Sequence, residues 1–150
     1  MFVSLTRLRL RRLWFVPGFV RHALPSFRQA QAAPGFLDGS VLRDRRLTFW
    51  TMTAWDDMES MRAYMLSGAH QKAMPHFAGW CDEASVVHWE EDGPALPSWT
   101  QAELRMRTQG RASKVRYPSA NHADLSFSPA RTTTSAPMPR TGSVAETAST

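Results

Sequence analysis

The side chains able to take up a proton or wall in a flat apolar molecule crowd into one stretch, FWTMTAWDDMESMRAYMLSGAHQKAMPHFAGW, residues 49 to 80. His70 and His76 lie there with Tyr64, Trp50, Trp55, Trp80, Met58, Met61, Met65 and Met74. Imidazole titrates near neutral pH and is the usual general base, so His70 is the candidate catalytic residue. It directly follows Ser67, Gly68 and Ala69, where a histidine either bonds a backbone carbonyl or serves a pocket. Six helical residues turn the chain by about 240°, so His70 and His76 point to different faces and do not share a metal ion. No carboxylate at i, i+4 completes a ligand set, and no metal site is expected. His88 alternates with Val87 and Trp89 on a strand, facing either the pocket or an interface. Trp50, Trp55, Tyr64, Met74, His76 and His88 are the candidate ligand-binding residues. Thioethers fill irregular core gaps and indoles bury large areas, so most of these groups also suit packing. Together they would wall a pocket for a porphyrin, a quinol or a polyene.

Nucleophilic catalysis finds no support. Ser60, Ser67 and Ser85 lack a glycine-framed elbow, Cys81 has no activating neighbour, and no glycine-rich phosphate loop is present. As the only cysteine, Cys81 excludes an intrachain disulfide and fits a reducing cytoplasm.

The elements that must position these groups follow from periodicity. Residues 2 to 10 alternate as a strand, and Phe19, Val20, Ala23, Leu24, Phe27 and Ala30 recur at helical spacing after Pro17, with Pro25 expected to kink the helix. Strands are expected at 36 to 44 and 47 to 55, joined tightly at 43 to 46. Asp56 with Glu59 makes a capping box for the next helix, which breaks at Ser67 and Gly68 and resumes to Trp80. A strand at 84 to 91 and a peripheral helix at 96 to 111, capped by Ser98 or Thr100, complete the order. Strand, helix, strand, strand, helix, strand is the ferredoxin-like βαββαβ arrangement, an α+β antiparallel sheet with both helices on one face. Trp50 and Met52 would leave the other face apolar, and a second copy of the sheet would cover it, giving a homodimer.

The 150-residue chain carries a net charge of +5. Asp82, Glu83, Glu90, Glu91 and Asp92 read as solvated charges. Arg7 and Arg9 alternate with Leu8 and Leu10, and without an interleaved stacking array they do not indicate nucleic-acid binding. No apolar run nears the roughly 18 residues of a membrane span, although Trp14, Phe15, Val16, Phe19 and Val20 would suit contact with a membrane surface. From about Ser119 the composition turns to Ser, Thr, Pro and Ala. The expected division is a folded domain at 1–117 and a disordered tail at 118–150.

The run FWTMTAWDDMESMRAYMLSGAHQKAM resembles the antibiotic-biosynthesis-monooxygenase-like dimeric α/β-barrel superfamily, and more loosely the spheroidene-monooxygenase-like oxygenases, over residues 2 to 91. The resemblance implies a monooxygenase-like cytoplasmic homodimer holding a hydrophobic small molecule, with no cofactor or with haem. In the alternative, a binding or interaction module keeps the fold without a reaction. Haem-degrading relatives carry an Asn, a Trp and a His ligand where an ungapped reading puts Thr6, Tyr64 and Met74.

Overall fold

The computed structural model describes residues 1–142. Four strands form the centre of an antiparallel sheet: β1 (Phe2–Leu10), β2 (Phe36–Arg43), β3 (Thr48–Trp55) and β4 (Cys81–Glu90), in the spatial order β4-β1-β3-β2. Helix α1 (Val16–Ala32) connects β1 to β2, and the pair α2 (Met58–Met65) and α3 (Gly68–Trp80) connects β3 to β4. This is the expected ferredoxin-like order. A fourth helix, α4 (Trp99–Gln109), follows, and the short strands β5 (Arg111–Ala112) and β6 (Ser135–Pro137) extend the sheet at its β4 and β2 edges.

Local chemistry explains the boundaries. Pro17 enters α1 at its first turn, where a missing N–H costs nothing. The cap of α2 is Asp57 rather than Asp56: its carboxylate accepts the Ser60 N–H at 2.7 Å, satisfying one of the free amides of the first turn. The break between α2 and α3 falls at Leu66 and Ser67, and Gly68, which opens α3, has a φ of +56°, the left-handed region that disfavours a Cβ. Ser98 caps α4 in a reciprocal box with Gln101. The 44–47 connection turns through Arg46 and Leu47, both in the left-handed region. A tight hairpin needs that geometry at its two central positions.

Strand alternation sorts side chains between two faces. Toward the helices, Leu10, Phe19, Ala23, Ala73 and Phe77 form one core cluster; Phe2, Phe36, Trp55 and Met61 form another. On the opposite face Val3, Leu5, Leu42, Trp50, Met52, Val87 and Trp89 pack against Ala102 and Met106 of α4 and against Phe127.

That cover bears on two expectations. The ground for a homodimer through the second face, that the face would be bare, is removed, because α4 and Phe127 of the following segment pack on it within the chain. Nor are residues 119–142 a free tail: Phe127 and Met138 are buried, and β6 pairs with β2 from Ser40 to Leu42. The few apolar residues of this segment reach ready-made slots, and its polar atoms find partners. Ser119 Oγ donates to Glu83 Oε1 at 2.8 Å, and the Arg131 N–H donates to Asp44 Oδ1 at 3.0 Å. Residues 143–150 of the expected tail lie outside the described residues.

Charges read as solvated are also corrected. Arg7 and Glu83 are buried and pair at 2.6 Å, while Arg9 makes a two-pronged bond to Asp82 at 2.9 and 2.8 Å. Met58 is exposed, so only Met61 of the expected methionine stripe is fully buried. No helix among the described residues is long and apolar enough to cross a membrane. Of the residues suited to a membrane surface, Trp14 is exposed but Phe19 is core.

Candidate functional site

A cavity of about 190 Å³ lies between the helix layer and the sheet. Its floor comes from alternate residues of three strands: Ser4, Thr6 and Leu8 of β1, Phe49, Thr51 and Thr53 of β3, and Ala84 and Val86 of β4. Ladder pairing puts Ser4 opposite Thr53 and Thr6 opposite Thr51, so four small hydroxyl residues occupy adjoining positions. Small side chains in a layer otherwise built of Leu, Phe and Trp leave the space unfilled. The roof is Phe19, Ala23 and Phe27 of α1, Met61, Tyr64 and Met65 of α2, and His70, Met74 and Phe77 of α3. Ser113, Lys114 and Val115, beyond β5, close one end.

His70 is held from several directions. Its backbone N–H donates to Gln29 Oε1 at 2.9 Å, and Gln29 Nε2 in turn donates to the carbonyls of Tyr64 at 3.2 Å and Ser67 at 2.9 Å. The glutamine thus ties the α2–α3 break to α1. Gly68 permits this approach, since a Cβ there would sit 3.0 Å from the Gln29 amide. His70 Nδ1 lies 3.0 Å from the Met65 carbonyl, which can only accept, so Nδ1 carries the proton. Nε2 is left as a lone-pair acceptor with no partner among the described residues. Burial lowers the imidazole pKa, partly opposed by the bond to Met65. His70 is therefore a neutral imidazole with an oriented free nitrogen.

Tyr64 stands beside it, its ring 4.8 Å from the His70 ring and stacked at 5.2 Å on Trp55. Its hydroxyl donates to the Ser26 carbonyl at 3.2 Å, and burial raises its pKa above the ordinary phenol value.

The cavity gathers some of the expected site residues and not others. His70, Tyr64 and Met74 line it, together with Thr6. The three positions matched to the haem-degrading relatives therefore do converge, with other side chains. Trp55 stands behind Tyr64 and bonds Thr53 Oγ1 through Nε1 at 2.9 Å, so it supports the wall without forming it. Trp50 lies on the opposite sheet face, its indole bonded to Asp44 Oδ2 at 3.1 Å. Pro75 and the helical turn carry His76 outward, where it stacks on His22 at 4.4 Å. His88 lies 5.8 Å from the Phe2 ring, outside the lining, and its buried Nε2 has no partner. Gln29, Ser26 and the hydroxyls of Ser4, Thr51 and Thr53 were not anticipated; the Ser67–Gly68 break was the one signal that something must dock there.

Haem does not fit this cavity. A void of about 150 Å³ holds benzene, so about 190 Å³ takes one or two rings and not a porphyrin or a long polyene. His76 lies outside it. Among the described residues no three His, Cys, Asp or Glu side chains gather to hold a metal ion. Cys81 is buried with its thiol pushed up to about 12, chiefly by burial, and is unsuited to act as a nucleophile.

Residues 15–115 match the family model described as a domain of unknown function, DUF3291. Among curated proteins none matches the chain. Solved structures share the fold. A variant of SnoaB, a cofactor-independent oxygenase from Streptomyces nogalater, is 13% identical with a TM-score of 0.53, over 65% of this chain and 97% of its own. A Deinococcus radiodurans protein described as a candidate antibiotic biosynthesis monooxygenase is 16% identical with a TM-score of 0.54, over 65% and 97%. NE2512, of unknown function, from Nitrosomonas europaea, is 20% identical with a TM-score of 0.51, over 65% and 94%. The resemblance read from the sequence thus holds at the level of the fold.

Proposed function

For a chain that belongs to the DUF3291 family and has a monooxygenase-like fold, we propose a cofactor-independent oxygenase acting on a small planar phenol of one or two rings. The observation that carries this reading is the free Nε2 of a neutral His70 in the wall of an apolar cavity with hydroxyls along its floor. Nε2 takes the phenolic proton, and the apolar walls exclude water from the electron-rich anion. Dioxygen then accepts electrons from the ring. One oxygen atom bonds to a ring carbon, whose C–H bond breaks, and the other leaves as water carrying that hydrogen and the phenolic proton returned by Nε2, so that phenol plus dioxygen gives quinone plus water. The substrate is the only reductant required. Thr6 and Thr51 make no side-chain hydrogen bond among the described residues, which leaves their hydroxyls able to orient oxygen atoms of the ligand.

A non-catalytic binding module is the second reading. It is favoured by the Tyr64 hydroxyl, which is engaged by Ser26 and leaves His70 without an evident proton donor beside it. Naphthol as probe separates the two. Saturable binding with dioxygen uptake and a quinone absorbance, both abolished in His70→Ala, is expected of the oxygenase. Binding without uptake selects the module, and absence of binding overturns both.

A further inference from the structure

On the sheet face away from that cavity, Arg7, Arg9, Asp44, Arg45, Arg46, Glu83 and Asn121 line a cleft of about 180 Å³, with Phe127 and Ser128 at its edge. Its charges are unevenly matched. Arg9 is committed to Asp82 and Glu83. Asp44 has its oxygens occupied by the Trp50 indole and the backbone amides of Arg45 and Arg131. Glu83 is shared by Arg7, Arg9 and Ser119. Arg45 and Arg46 are exposed at the β2–β3 turn and have no carboxylate partner among the described residues.

The floor of the cleft is also short of partners. Arg7 is only 5% exposed, yet its guanidinium makes a single hydrogen bond, from Nη1 to Glu83, and the buried Nε has none. Beneath the cleft and outside its lining, the buried hydroxyl of Ser85, directly across the β1–β4 ladder from Arg7, is unpartnered as well. Phe127 stacks 4.1 Å from the Arg7 guanidinium carbon and holds that plane in place without supplying an acceptor. A buried guanidinium with unused donors is costly unless an acceptor completes it.

We infer that this cleft is an oxyanion-binding site for the phosphate or sulfate group of a small molecule, with Arg7 at its floor and Arg45 and Arg46 at its mouth. Guanidinium forks match tetrahedral oxyanions, and donors from a strand and from a hairpin converge from different sides. The volume admits one such group and no stacked bases. The site stands independently of the phenol cavity, because the two occupy opposite faces of the sheet.

Calorimetry and thermal unfolding of the full chain in inorganic phosphate, against chloride at equal ionic strength, test the proposal. Saturable phosphate binding with a raised Tm is expected, together with a shift of the Arg7 Nε–H resonance. The Arg45→Ala, Arg46→Ala double variant changes only exposed side chains and should weaken binding by about tenfold or more. Arg21→Ala on the exposed side of α1 should leave it unchanged. Glycerol phosphate distinguishes the sources: tighter binding than inorganic phosphate marks an ester ligand, equal or weaker binding marks the free anion, and either supports the site. No saturable binding, equal stabilisation by chloride, or full binding in the double variant would overturn it; so would a phosphate-soaked crystal with only a water bridging Arg7 and Ser85.

Discussion

The two faces of the sheet are made from alternate residues of the same strands and have opposite characters. Toward the helices β1 offers Ser4, Thr6 and Leu8; toward α4 it offers Val3, Leu5 and Arg7. The first set is too small to fill its layer, and a cavity remains. The second meets α4, Trp50 and Phe127 in a packed layer with an ion pair at its margin. Room for a ligand on one side therefore coexists with stability drawn from the other. A domain of this size rests on a small net free energy and can leave a void only if the rest of its core is well packed.

Removing residues 119–150 tests this division most severely. The loss of Phe127 and Met138 from their slots, with the partners of Glu83 and Asp44, should cost several kcal/mol. The apolar face so bared should drive self-association, visible by light scattering. A monomer with an unchanged unfolding midpoint would show that the segment contributes nothing.

Single truncations sharpen the comparison. Phe127→Ala should cost about 3–5 kcal/mol in chemical denaturation and leave naphthol binding intact in the folded protein. Met61→Ala, on the cavity side, should cost about 2–5 kcal/mol and also alter naphthol affinity, because Met61 is both core and wall. Equal effects of both variants on the ligand would erase the distinction between the faces.

Smaller still, His70→Ala should cost about 1 kcal/mol, the usual net worth of the bond it makes to Met65, while turnover falls by roughly 10²-fold or more. Unfolding as severe as in Met61→Ala, with normal ligand binding by the folded remainder, would make His70 structural.

The smallest effect is a pH dependence. Burial lowers the pKa of His70, and burial aided by Arg111 lowers that of His88. In the window below the ordinary value of about 6.5 the unfolded chain binds more protons than the folded one. Stability should be full above that value and decline as pH falls toward the lowered folded values. His70→Ala and His88→Ala should each flatten part of this slope in denaturation midpoints measured across pH.

Strand and helix order was legible because periods of 2 and 3.6 are written directly in the apolar residues, and the Ser98 cap and the Ser67–Gly68 break are local chemistry. Asp57 displaced Asp56 as a cap because adjacent acids differ only in backbone angle, which the sequence does not state. His70 could be singled out, but its tautomer and free Nε2 follow from Met65 and Gln29, one of them 41 residues away in the chain.

By itself, then, the sequence determined which residues are strand and helix, that the domain is α+β, and that one apolar, histidine-bearing segment sits at its centre. Tertiary structure alone decided that Tyr64, Met74 and His70 share a wall while Trp50 and His76 do not. It also decided that Phe127 packs with α4 over the second sheet face, that Met138 packs on the helix side beside Phe36 and Trp55, and that Arg7 is buried beside Glu83. The physical reason is that periodicity reports a residue's own face, whereas burial, pairing and empty volume depend on what distant segments place opposite it.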